Sequence, residues 1–206
     1  MKKRTAATTF AVIAALAIGP STAAIADDGS TPTNDESSYS YTAPLDIVAY
    51  DAEVAEAHGY RIETDENGEQ YSVPVTPEAI AEQERDEAAA ESMVQARGTV
   101  YGNCGTSSLT GFKSRNDTVT FSTSFAISGS VAEYDWRVNA YGFISNNYWS
   151  TSGFGPLAGG TKSWTGAIPG VVGPGTARVP ANSAQAAVIK TNGAVCWSGG
   201  PSFGFD

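Results

Sequence analysis

The sequence predicts an all-β C-terminal domain, a small antiparallel β-sandwich with one disulfide, preceded by an acidic, partly helical N-terminal segment. Three observations carry that expectation. The 206-residue chain has a net charge of −10, yet residues 27–97 alone hold 18 acids against Arg61, Arg85 and Arg97, a local charge of −15. From Gly98 onward acids nearly vanish, Gly and Ser become frequent, and all four tryptophans appear (Trp136, Trp149, Trp164, Trp197). Finally, the two cysteines of the chain, Cys104 and Cys196, bracket this second part. Charge asymmetry on that scale marks separate parts of a chain, and the acidity argues against a nucleic-acid binder.

Residues 1–26 read as a secretory signal peptide. Lys2, Lys3 and Arg4 precede an apolar run from Phe10 to Gly19, and Ala24-Ile25-Ala26 supplies small residues for cleavage. The run is too short for a membrane span, so no transmembrane segment is expected in the mature chain. The expectation is a secreted, extracellular bacterial protein. In an oxidising compartment Cys104 and Cys196 should form the single disulfide.

Residues 27–42 are polar and without periodicity, and read as a disordered leader. Residues 43–97 read as a helix–hairpin–helix unit, a pro-segment or a spacer. Ile47, Tyr50, Val54 and Ala57 recur at helical spacing over 45–58, with Gly59 as the stop. Tyr60 to Val73 alternates around Asn67-Gly68, a strong hairpin signal because both residues tolerate positive φ. The acids beside this turn match the opening of a calcium loop, but Pro74 stands where the bidentate Glu is required. Thr76-Pro77-Glu78 then starts a long Ala/Glu-rich helix reaching toward Arg97.

Residues 98–206 read as the disulfide-stapled β-sandwich. The clearest pair is 118–128 with 131–141, joined by Ser128-Gly129-Ser130. Val119, Phe121, Phe125 and Ile127 share one face, and Tyr134, Trp136, Val138 and Ala140 share the other strand's apolar face. Asn146-Asn147 reads as a turn into Tyr148–Thr151, and shorter strands follow at 162–168, 175–180, 185–191 and 194–198.

The chemistry is narrow. The one histidine, His58, lies in the acidic segment, so the β domain cannot assemble a Ser–His or Cys–His pair. No metal-ligand spacing and no phosphate loop occurs, so no metal, no cofactor and no enzyme activity is expected. Glu133 and Asp135 share a strand face with Arg137 as a cross-face partner, which is the ordinary wet side of a sheet. The feature that points outward is the stretch holding Phe143, Asn146, Asn147, Tyr148, Trp149, Phe154 and Trp164. Rings beside amides in loops can stack on a ligand and fix its orientation. These seven residues are the expected ligand site of a non-catalytic module that recognises a glycan, a cell-envelope polymer or a secreted protein. The alternatives are a toxin or bacteriocin-like effector held inactive by the acidic segment, a protease inhibitor using loop 153–175, and insertion of the 118–141 hairpin into a membrane.

Overall fold

The computed structural model describes residues 39–93, 102–157 and 159–206. The expected export signal, leader residues 27–38 and the end of the long helix at Arg97 lie outside the described residues. Strand β1 (Tyr39–Tyr50) leads to a short helix α1 (Ala52–Ala57), the hairpin β2 (Tyr60–Thr64) and β3 (Gln70–Pro74), and helix α2 (Pro77–Met93). Then come β4 (Gly105–Ser114), β5 (Thr118–Ile127), β6 (Val131–Tyr141), β7 (Asn146–Leu157), β8 (Thr161–Ile168) and β9 (Gly175–Arg178). A single 3-10 turn (Ala184–Ala186) precedes β10 (Ala187–Lys190), β11 (Ala194–Ser198) and β12 (Ser202–Phe205).

The acidic part is not a separate appendage. Residues 39–50 are strand where the sequence reading has a leader through 42 and a helix from 45. The pattern Leu45, Ile47, Tyr50 suits either period over so few residues, and sheet pairing decides for period two. Leu45 is fully buried, Ile47 packs on the core, and Asp46 and Val48 face solvent. The first half of β1 pairs with β4 (Tyr39↔Gly111 to Leu45↔Gly105), and its second half pairs with β11 (Leu45↔Ser198 to Tyr50↔Ala194). Pro44, which has no N–H to give, stands at this crossover. Its carbonyl accepts from Gly199 at 2.7 Å, and that of Leu45 from Cys104 at 3.0 Å. Helix survives only from Asp51, whose carboxylate caps the N–H groups of Glu53 and Val54 at 3.0 Å.

The remaining acidic elements match their sequence signals. Strands β2 and β3 pair from Tyr60↔Pro74 to Thr64↔Gln70. Gly68 takes φ +85° in the turn, and Asp65 organises it by accepting from the backbone of Asn67 and Glu69 at 2.8 and 2.9 Å. Thr76 caps α2 through Ala79 N–H at 3.2 Å.

Among the described residues ten strands form one antiparallel sheet, ordered β12-β9-β6-β10-β11-β1-β4-β5-β8, with β7 on the free side of β6. Strand β6 divides one edge between β10 (Val131–Asp135) and β9 (Asn139–Tyr141), and gives its other edge to β7. The sheet rolls over so that β5 and β6 face each other across the core. Ser128-Gly129-Ser130 is therefore a corner between layers, and the expected 118–128/131–141 hairpin pairing does not form. Alternation correctly names the apolar faces, but those faces pack on one another: Phe125 meets Trp136 edge-on at 5.3 Å. The edges of the rolled sheet, β7 and β8, meet through side chains, Trp149 against Trp164 at 6.1 Å.

The Cys104–Cys196 disulfide has a Cα–Cα distance of 6.2 Å and spans 92 residues. It joins the start of β4 to β11, the two neighbours of β1, and closing so long a loop stabilises by about 4–5 kcal/mol on chain-entropy grounds. No helix among the described residues is long and apolar enough to cross a membrane.

Candidate functional site

Strand β7 sorts the expected site residues by its pleat, since successive side chains leave opposite faces. Asn146, Tyr148, Ser150, Ser152 and Phe154 are exposed, whereas Asn147, Trp149, Thr151 and Gly153 turn inward and are half-buried. Tyr148 and Trp149 are adjacent, so they cannot share one platform. Trp149 packs edge-on against Phe121 at 5.4 Å. On β8, Trp164 stacks near Trp136 at 6.2 Å and tilts against Tyr134 at 5.4 Å. Both indoles therefore close the seam of the sheet, and neither is fully buried.

Asn147 acts on the backbone. Its Nδ2 donates to the carbonyls of Pro169 and Gly170 at 2.9 and 3.3 Å, tying β7 to the 169–174 loop. Asn146-Asn147 is accordingly the first part of β7, and the turn lies one step earlier at Gly142–Ser145. There Gly142 N–H bonds the Ser145 carbonyl at 2.9 Å, and Val172 N–H bonds Ser145 Oγ at 2.8 Å. These bonds hold Phe143 and Ile144 outward, 82% and 74% exposed.

What remains outward is Phe143, Asn146, Tyr148 and Phe154. Phe143 stands in the turn, and the other three lie on one face of β7 beside side chains of β6 and β9 outside the expected seven. The Arg137 guanidinium lies 3.6 Å from the centre of the Tyr148 ring, while its Nε donates to Asn139 Oδ1 at 2.9 Å. Arg137 thus serves Tyr148 and Asn139 instead of pairing with Glu133 or Asp135. Arg178 sits 4.7 Å over the Tyr141 ring and donates to its hydroxyl at 3.3 Å. Cross-strand register makes these neighbours, because Asn139 lies opposite Tyr148 on one side and Arg178 on the other. Alternation on β6 already put Arg137 and Asn139 on one polar face, where Arg137 is half-buried and Asn139 is buried; Arg178 and Tyr141 needed the register.

The outer face is a shallow strip. Tyr148 to Phe154 covers about 20 Å along the strand, and Ser150, Ser152, Asp135 and Glu133 fill the space between, Ser152 opposite Asp135 and Phe154 opposite Glu133. Stacked cation–ring pairs hold the aromatic planes at low entropic cost. Among the described residues no group of three His, Cys, Asp or Glu side chains is placed to hold a metal ion. The stretch 153–175 is not one loop: it contains the end of β7 and all of β8. Compared with known proteins, the chain matches no family model, no curated protein and no solved structure.

Proposed function

We propose that the protein is a secreted, non-catalytic binding module that holds an extended glycan of a cell envelope along the outer face of β7, β6 and β9. The observation that carries this reading is the outward row of β7: Asn146, Tyr148, Ser150, Ser152 and Phe154 all face solvent beside Arg137. A polysaccharide presents apolar C–H faces to rings and hydroxyls to amides, guanidinium groups and serines, and a row of both suits it better than a closed pocket. The strip is long enough for several sugar units. The disulfide supports an oxidising, extracellular destination.

Co-sedimentation of the full chain with insoluble cell-wall polysaccharides tests the reading. The double variant Tyr148→Ala/Phe154→Ala should lose retention while keeping its unfolding temperature. Equal retention of the variant would count against the proposal.

A second reading, an effector restrained by its acidic segment, draws support from one contact: Thr191 Oγ1 donates to Glu82 of α2 at 2.8 Å. Mass spectrometry of the secreted product tests it. A mature species starting near Gly98 supports restraint by the segment, and retention of the acidic part in the mature product opposes it.

A further inference from the structure

A second concavity lies where the acidic elements pack on the sheet, away from β7. It is a cleft of about 290 Å³ between β1, β3, α2 and β10, and Tyr50, Tyr60, Tyr71, Ser72, Asp86 and Lys190 line it. Lys190 is its most constrained member. The residue is only 9% exposed, and among the described residues its ammonium has neither an ion pair nor a hydrogen bond. Asp86 faces it from α2 without closing to ion-pair distance. Burial holds the lysine pKa below and the Asp86 pKa above their ordinary values, in each case outweighing the attraction of the opposite charge. The two charges are partly desolvated and are not joined in an ion pair.

One further polar group in the cleft is also unspent. Ser72 Oγ is buried with no partner. Tyr60 and Tyr71, by contrast, are fixed by their hydroxyls, which donate to the Ala79 carbonyl at 3.0 Å and to Glu63 Oε2 at 3.1 Å. The cleft therefore offers held aromatic rings together with an unpaired donor, an unpaired carboxylate and an unpaired hydroxyl. Part-buried charges without direct partners are under-satisfied, so a ligand that joins them gains what the free protein lacks.

We infer that this cleft binds one neutral polyhydroxylated ring, a single sugar residue, with its hydroxyls bridging Lys190 and Asp86 and reaching Ser72. A hydroxyl accepts from an ammonium and donates to a carboxylate at the same time, so a neutral polyol satisfies both without adding a charge to the cleft. Carboxylates of α2 repel an anion, and the unpaired lysine repels a cation. The rings of Tyr50, Tyr60 and Tyr71 cover the C–H surface of the ligand. This site does not depend on the outer face of β7.

The test is titration of the full, isotope-labelled chain with the methyl glycosides of glucose, galactose, mannose and N-acetylglucosamine. One of the four should shift the amides of Ser72, Lys190 and Asn192 saturably. Lys190→Met and Asp86→Asn should each weaken that glycoside by about tenfold, the share of one charge-assisted hydrogen bond. Tyr71→Ala, on the exposed rim, keeps the test open if a cleft variant fails to fold, and it too should weaken binding. No saturable shift up to the solubility limit would overturn the inference. So would unchanged affinity in the folded variants, or shifts confined to residues around Tyr148.

Discussion

The indole Nε1 of Trp136 donates to Thr123 Oγ1 at 3.0 Å, joining the two layers of the rolled sheet at its centre. Thr123 Oγ1 in turn donates to the Ser108 carbonyl at 2.8 Å, so a buried hydrogen-bond chain runs from β6 through β5 to β4. Trp136 is fully buried and Thr123 nearly so. Thr123→Val keeps the volume and strands the indole N–H, which should cost about 1–3 kcal/mol in denaturant unfolding. Glycan retention should survive, because neither residue reaches the outer face.

Strand β1 makes the acidic segment part of the fold. Leu45 sits in the core where β1 passes from β4 to β11, and Leu45→Ala should cost about 2–5 kcal/mol. The fragment 98–206 lacks this strand altogether. It should show reduced near-ultraviolet circular dichroism and poor amide dispersion; a cooperatively folded fragment of full-length stability would contradict the role given to β1.

The disulfide ties the same two neighbours of β1. Replacing Cys104 and Cys196 by alanine should lower stability by about 2–5 kcal/mol, measured by urea unfolding under non-reducing conditions.

The contact of α2 with the sheet gives a pH dependence of known sign. Burial raises the Asp86 carboxyl above its ordinary 3.8, with Lys190 opposing. A raised folded pKa adds stability at pH below the unfolded value and loses it as pH rises through the folded one. The stability of Asp86→Asn relative to the natural protein should therefore climb from acidic toward neutral pH, a trend urea titrations read directly. Tyr60 behaves alike at the alkaline end. Burial, with Glu82 and Asp86, pushes its phenol up to about 12, so its contribution is lost only as the pH passes from 10 toward that value.

Local chemistry was legible in the sequence, and pairing was not. Asn67-Gly68 and Thr76-Pro77 announce a turn and a helix start through bonds made within four residues, and both form where expected. Residues 45–50 satisfy two periodicities over one short run, and only the presence of β4 and β11 selects the strand. Alternation on β5 and β6 names which side chains share a face, yet says nothing of which strand lies alongside. The same limit divides the candidate site. Tyr148 and Trp149 are neighbours in sequence and opposites in space, while Tyr148, Arg137 and Arg178 are distant in sequence and adjoin through register.

Amide hydrogen exchange of the full-length protein, with and without the wall polysaccharide that retains it, reads whether the outer face of β7 holds the polymer. Strand β7 is paired on one side only, so its outer amides exchange readily until something covers them. Bound polymer should add protection over Asn146–Leu157 and Val131–Tyr141, and Tyr148→Ala/Phe154→Ala should remove it. Bound polymer that leaves these two strands unchanged and protects other segments would contradict binding along β7.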